Sequence, residues 1–298
     1  MISQKIHTVE NLRSDLKLLG IRNGADLIVH ASLRSLGKVE GGYRNFLEAL
    51  LLAVGSEGTI LTPSFYYHAI DPVMHSNPPD DENLKVERER IKPFDQFLSP
   101  SDTGAFGDIV RLDYRGTRSL HPMKSWSAIG VRADQYTENV PVDDADGLQS
   151  PIGRVYTRGK GQILLVGVDH VSNTSLHLAE SLARSPHYLQ TQIRYKDVDG
   201  RWRIITSCGG CSHGFYKIRG IIDFTKYEIR GKVGDSLCIL IEQKPFVDSA
   251  RDALNNTPHA LLCDNPICGE CSRARKTYGL PQLEEKEIHL RHPWAVEE

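Results

Sequence analysis

Three observations predict an α/β fold for this chain of 298 residues. It opens as helix, strand, loop, helix, strand, with hydrophobic spacing to match. Both of those strands empty into loops rich in Ser, Thr and Gly. Near the middle, the apolar run 163–168 reads as a buried strand and leads into a helix start at Asn173 and Thr174. Strand and helix patterns that alternate along a chain mark the α/β class.

In order, Thr8 can cap a helix whose apolar positions Val9, Leu12, Leu16 and Leu19 keep helical spacing, and Gly20 can stop it. Asn23-Gly24 turns the chain into a strand at 27–29 that ends at His30. Residues 31–42 follow, small and hydroxyl-rich, with Arg34 and Lys38 among them. An amphipathic helix through Phe46, Leu47, Leu50, Leu51 and Val54 stops at Gly55, and a strand at 59–61 runs into Thr62-Pro63-Ser64. Residues 68–100 are polar and proline-punctuated, and read as a long irregular segment. Residues 101–104 should cap a short helix carrying Phe106, Ile109 and Val110, and 126–130 form a short strand. Residues 188–195 and 201–206 alternate as a hairpin about Asp199-Gly200, and 237–241 is a further strand. With no internal repeat or persuasive linker, a single domain over 1–298 is expected, with a Cys-rich elaboration at about 206–280.

Composition narrows the function. Hydrophobic residues make up 40% and charged residues 25%, ordinary for a globular protein. A net charge of -2 gives no electrostatic reason to expect nucleic acid or an acidic membrane surface as partner. The opening residues lack the apolar core of a signal peptide and no apolar run is long enough to span a bilayer, so a cytoplasmic location is expected. There, the six cysteines read as thiols or metal ligands. Small residues let backbone amides approach a ligand, and a following helix N-terminus favours an anion, so the loop at 31–42 suits a phosphate as well as an ordinary βα connection. His177 would sit in the first turn of a helix at the carboxyl end of a strand, where α/β proteins place their working crevice.

Six segments, in order, carry a resemblance: HASLRSLGKVEGG (30–42), GSEGTILTPSF (55–65), SDTG (101–104), RSLHPMKSWSAIG (118–130), QSPIG (149–153) and LVGVDHVSNTSLHLAE (165–180). Together they resemble the aminoglycoside 3-N-acetyltransferase family, whose fold is not that of the common acetyl-coenzyme A transferases. The resemblance implies a three-layer α/β/α sandwich with a mixed sheet, and acetyl transfer from acetyl-coenzyme A to an amine. It also implies that the loops at 32–42 and 62–65 hold the coenzyme, giving Ser32, Leu33, Arg34, Ser35, Leu36, Gly37, Val39, Gly42, Thr62, Ser64 and Phe65. Ser119, His121 and Ser125 of the fourth segment join that set, as groups able to bind phosphate or carry a proton. Asp102 and Asn173, in matching motifs, fall to the acceptor. The family's catalytic base lies in the motif Asn-Thr-Ser-Leu-His, which places it at His177. An imidazole suits the task, because an amine must lose a proton before it attacks a thioester.

The chain departs from the family in two places. Members carry an acidic residue after the hairpin to orient the histidine, whereas residues 206–213 here read TSCGGCSH. Asp169, Glu180 and His213 are the candidate replacements, and each also reads as a capping or surface group. Glu180, three residues after His177, shares its helix face. The second departure is Cys208-x-x-Cys211 and Cys268-x-x-Cys271, two pairs with the spacing of a structural zinc site, with Cys263 nearby and Cys238 a core thiol. Carboxylates for a polycationic acceptor are offered by Asp143, Asp144 and Asp146, and by Asp71, Asp80, Asp81 and Glu82. The expected function is therefore N-acetylation of an aminoglycoside. Another amine acceptor and a noncatalytic, metal-stabilised scaffold are the alternatives, and the oligomeric state is open.

Overall fold

The computed structural model describes residues 5–74 and 79–284. A short strand, β1 (Ile6–His7), precedes α1 (Val9–Leu19), where Thr8 and Asn11 exchange side-chain and backbone hydrogen bonds and Gly20, at φ +110°, ends the helix. Strand β2 (Asp26–Ala31) follows, and a 3₁₀ turn at Leu33–Leu36 leads to β3 (Lys38–Val39), which pairs with β1. Next come α2 (Arg44–Val54) and β4 (Thr59–Pro63).

After α3 (Asp81–Arg90) and α4 (Ala105–Arg111), the chain forms β5 (Thr117–Arg118), β6 (Trp126–Gly130), α5 (Ala133–Thr137), α6 (Pro151–Arg158) and β7 (Gly161–Val166). Then come α7 (Ser175–Leu182), α8 (Pro186–Leu189), the hairpin β8 (Gln192–Lys196) and β9 (Trp202–Thr206), β10 (Glu228–Val233), β11 (Ser236–Glu242), α9 (Gln243–Asn256) and α10 (Gly269–Thr277).

The main sheet runs β10-β11-β7-β2-β4-β6-β5. At its centre β2 lies parallel to both β7 and β4, and the strands outside them are antiparallel. Period-two alternation sends Leu27, Val29, Leu164 and Val166 to one face, against Leu12 and Leu16 of α1, Phe46 and Leu50 of α2 and Phe106 of α4. Ile28, Ile163 and Leu165 face the other way, against Ile152 of α6, Leu176 of α7 and Phe246 of α9. This is the three-layer α/β/α sandwich with a mixed sheet that the resemblance implies. The three central strands all deliver their carboxyl ends to one edge.

Several local expectations change. Residues 68–100 contain α3, whose sequence DENLKVERER buries only Leu84 and so offers no apolar stripe to read. Asp80 caps it, and Arg88 and Arg194 tie it to the hairpin through the fully buried Asp71. The SDTG side chains do not cap α4; its N-cap is Gly104, and Ser101 is held by Asp108 instead. The start of the expected hairpin is helical as α8, and its turn runs from Asp197 to Arg201 rather than through two residues. Among the described residues, no helix is long and apolar enough to cross a membrane.

Candidate active site

The loops that leave β2, β4 and β7 surround a cavity of about 460 Å³. His30 and Ala31 come from β2, Thr62 and Pro63 from β4 with Phe65 just after it, and Val168, Ser172, Thr174 and His177 from the segment after β7. The facing wall is supplied by Gly209, Gly210, Ser212 and Glu270, with Lys124 and Met123 between. A crevice outside the carboxyl ends of parallel strands is where an open α/β sheet collects side chains from distant parts of the chain.

His177 lies in the first turn of α7 and is 6% exposed. Its Nδ1 is 2.7 Å from Oε2 of Glu180, one turn along the helix, and its ring lies edge-on to Phe215 with centroids 4.7 Å apart. The other Glu180 oxygen is 3.1 Å from Nε2 of His187, whose Nδ1 is 2.7 Å from the Tyr278 hydroxyl. Burial raises the pKa of Glu180, but the hydrogen bonds from His177 and His187 outweigh it and bring the carboxyl down to about 2. An anionic Glu180 can only accept. His177 therefore carries its proton on Nδ1, His187 carries its proton on Nε2, and Tyr278 donates to His187. What remains on His177 is the Nε2 lone pair, on a ring that lines the cavity.

Three other buried histidines, His170, His121 and His30, lack this combination. His170 has Nε2 against Glu228 at 2.6 Å and Nδ1 against Asn173 at 3.3 Å, so both nitrogens are occupied. His121 accepts from the Met123 and Lys124 amides on Nδ1 and donates to the Val142 carbonyl from Nε2. Burial, against the pull of that carbonyl, lowers its pKa to about 4. His30 reaches the cavity with a buried, unpartnered Nε2, and burial lowers its pKa to about 3, so it stays neutral at physiological pH.

Of the candidate partners for His177, only Glu180 is brought to it. Asp169 accepts from the Val171 amide, and His213 is exposed. Of the candidate coenzyme residues, Thr62 and Phe65 line the cavity. Arg34 and Gly42 are exposed on the stretch between β2 and α2, where Lys38 and the uncapped start of α2 also lie. The side chains of Leu33, Leu36 and Val39 belong to the core, and Ser35 bonds Ser32 and Ser236. Ser64, Ser119, His121 and Ser125 are fully buried and hydrogen-bonded among Ser127, the Trp126 amide, Arg118 and neighbouring backbone, so they shape the β4–β6 edge rather than the cavity. Asn173 is buried and caps α7 through the Ser175 amide, whereas Asp102 holds the Tyr67 amide at 2.6 Å at the rim of a second cavity.

The acidic loop is also consumed internally. Asp146 is buried against Lys124 at 2.6 Å and accepts from the Gly209 amide, and Asp144 accepts from Ser181 and Tyr188. Burial opposes the Lys124 charge, but Asp146 beside it holds the ammonium above its ordinary pKa. The carboxylate on the facing wall is instead Glu270. His187, Tyr278, Gly209, Lys124 and Glu270 were not singled out in the sequence, and their spacing there connects none of them to His177.

The thiol set is corrected too. Sγ atoms of Cys211, Cys263, Cys268 and Cys271 all lie within 4.8 Å of one another. Cys208 is excluded, because its side chain turns into a separate cluster with Met123, Ala145, Tyr195 and Ile205, and Gly209-Gly210 carry the chain away before Cys211. Cys263 takes its place. Cys238 is a core thiol on β11.

Comparisons with known proteins agree with this architecture. The family model described as aminoglycoside 3-N-acetyltransferase matches residues 28–255. The YokD protein of Bacillus subtilis, an SPbeta prophage-derived aminoglycoside N(3')-acetyltransferase-like protein, is 36% identical over 178 residues, 58% of this chain. That match spans 64% of the relative, just under two thirds of its length. Aminoglycoside N(3)-acetyltransferase IV of Salmonella sp is 34% identical over 248 residues, 82% of this chain and 86% of the relative. The crystal structure of aminoglycoside acetyltransferase AAC(3)-IVa as apoenzyme superposes with a TM-score of 0.77 at 28% identity, over 93% of this chain and 99% of that one. A mutant of the same enzyme has been solved in complex with a gentamicin. With more than half of its length matched by one family model, this chain belongs to the aminoglycoside 3-N-acetyltransferase family.

Proposed function

We propose that the chain transfers an acetyl group from acetyl-coenzyme A to an amino group of an aminoglycoside, at the 3-N position, with His177 as general base. The observation that carries this reading is the pairing of His177 Nδ1 with the buried carboxylate of Glu180, because it assigns Nδ1 as the donor and leaves Nε2 as the basic nitrogen of a ring that lines the cavity. A base of this kind contributes about 10²–10⁴-fold to such a transfer. Nε2 takes the proton of the attacking amine as the C–N bond forms. The C–S bond breaks, and the protonated imidazole can return the proton to the departing thiolate. The Glu180 carboxylate holds the ring and steadies its transient positive charge.

Family membership supports acetyl transfer and the aminoglycoside acceptor, and the exposed Arg34 and Lys38 beside Gly41 and Gly42 supply the charge and open backbone that a coenzyme's phosphates need. A third cavity of about 510 Å³ shares Ile70, Ile193, Gly210 and Glu270 with the first, which gives a multi-ring acceptor room beyond the reacting amine. Four convergent thiols suit a structural zinc ion: Zn–S bonds of about 2.3 Å put tetrahedral sulfurs about 3.8 Å apart, and these need only small adjustment.

The test is thiol release from acetyl-coenzyme A with a panel of aminoglycosides and simpler amines, with products read by mass spectrometry. Release driven by an aminoglycoside, with one acetyl group on the 3-amino nitrogen, is the expected result. Release with simple amines alone would move the acceptor to another class. No release with any amine, and no coenzyme binding, would leave a scaffold protein.

A further inference from the structure

The four-cysteine module touches His177 by two separate routes, and neither passes through the sheet. The first is Gly209, two residues before Cys211. A Cβ built there would lie 2.4 Å from His177 Cγ and 2.5 Å from Nδ1, so the bare backbone of Gly209 rests directly on the imidazole. Gly210 stands next to Glu270, which sits between Cys268 and Cys271, and all of these except the thiols line the cavity. The second route starts at Tyr278, seven residues after Cys271 at the end of α10. Its hydroxyl bonds His187, His187 bonds Glu180, and Glu180 bonds His177.

Outside the thiols these segments are tied at their margins, where Lys217 reaches the Leu262 carbonyl and Asp264, Thr277 reaches Gln190 and Leu261 joins the main core. From 208 to 214 the chain is irregular, and among the described residues its backbone anchor outside the loop is the Gly209 amide on Asp146. The satellite cluster around the thiols is small: Leu262, Cys263, Cys271 and Ala274, with Tyr278 and Leu280 against it. A cluster of that size buries too little apolar surface to order two segments by itself, and small modules of this kind are ordinarily held by a metal or disulfides. Here the thiols come from both sides. Cys211 belongs to the loop whose Gly209 and Gly210 line the cavity, whereas Cys263, Cys268 and Cys271 belong to the segment that carries Glu270 and Tyr278.

We propose that a zinc ion bound by Cys211, Cys263, Cys268 and Cys271 clamps the cavity wall and the outer end of the His177–Glu180–His187–Tyr278 chain together, so that metal occupancy sets the geometry of the catalytic histidine. This rests on the zinc reading given above and extends it from a structural ion to a control of the active site. The ion takes no part in the acyl transfer. It acts through Gly209 on one side of the imidazole and through Tyr278 on the other. Occupancy therefore bears on acceptor turnover, whereas the coenzyme loop after β2 stands outside the clamp.

The experiment compares the purified enzyme, the same enzyme depleted of zinc by a chelator under reducing conditions, and the depleted enzyme re-supplied with zinc. Metal content is read first: about one zinc per chain is expected, and less than about 0.1 equivalent overturns the proposal at its root. Hydrogen exchange is read second and needs no activity. Depletion is expected to speed exchange at 207–215 and 186–190 while β2 and β7 stay protected, with reversal on zinc addition. Unchanged exchange at 207–215 in depleted protein overturns the clamp.

Kinetics are read third: kcat with the amine acceptor is expected to fall by about 10–100-fold, with KM for acetyl-coenzyme A moving less than about twofold. Equal turnover with and without zinc also overturns it. Tyr278→Phe tests one route with the metal retained: a lower kcat at full zinc content supports it, and unaltered kinetics remove that route. Zinc-dependent protection in a chain that acetylates no amine would leave the clamp standing and sink the acetyltransferase reading instead.

Discussion

At the residue scale, the chemistry reduces to which nitrogen of which histidine is free. His121 and His170 have both nitrogens engaged, His30 is held neutral by burial, and His177 alone of these four lines the cavity with one nitrogen paired to a carboxylate and the other unengaged. His177 was legible in the sequence because the Asn-Thr-Ser-Leu-His motif marks it. Glu180 was legible only as a neighbour, since spacing of three on a helix gives proximity without saying which carboxylate turns inward. Replacing it with glutamine keeps the shape but removes the charge that fixes the tautomer. Glu180→Gln should lower kcat by about 10–100-fold with little change in acceptor KM, in steady-state assays. The same carboxyl titrates at about 2 rather than its ordinary 4.5. A depressed carboxylate adds stability that is present above 4.5 and lost as pH falls toward 2. Denaturation curves of wild type and Glu180→Gln should therefore converge across that window.

At the element scale, the loop after β9 replaces the acid that the family carries there with two glycines and a thiol. The sequence shows the replacement but not its effect, because Gly209 works by what it lacks: any side chain there meets the imidazole at 2.4 Å. Gly209→Ala should displace the ring and cost about 10²-fold in kcat, as expected for misplacing a reacting group by about 1 Å, with zinc content unaltered. Helix α3 was hidden for the opposite reason. Its polar sequence has no stripe to read, and its position depends on Asp71, which joins Arg88 on the helix to Arg194, far along the chain on β8. Asp71→Asn should cost about 1.5–3 kcal/mol of stability, the worth of hydrogen bonds to a charged group, measured by denaturant unfolding. The approach of Cys263 to Cys211 is likewise a long-range outcome that local spacing does not encode.

At the scale of the whole molecule, the sandwich was the most legible part. Period-two alternation in β2 and β7 and helical spacing in α1 and α2 each state which side faces the sheet, and the two faces close as separate cores. The order of strands and the return of β11 beside β7 come from tertiary packing; the resemblance implied only that the sheet is mixed. The carboxyl edge of the sheet collects His30, and the β4–β6 connection buries His121, both as neutral imidazoles. An unfolded chain takes up protons at both positions below their ordinary 6.5, whereas the native fold resists until about 4 for His121 and about 3 for His30. Stability should therefore fall as pH drops from 6.5 toward 4, and thermal melts over that range would show it. The central claim is narrower: acetyl transfer to an aminoglycoside amine with His177 Nε2 as the base. It is tested most directly by coenzyme thiol release with one aminoglycoside, wild type against His177→Ala, with zinc content and fold matched. The account predicts a rate about 10²–10⁴-fold lower in the variant, with acetyl-coenzyme A still bound; equal rates in the two proteins would contradict it.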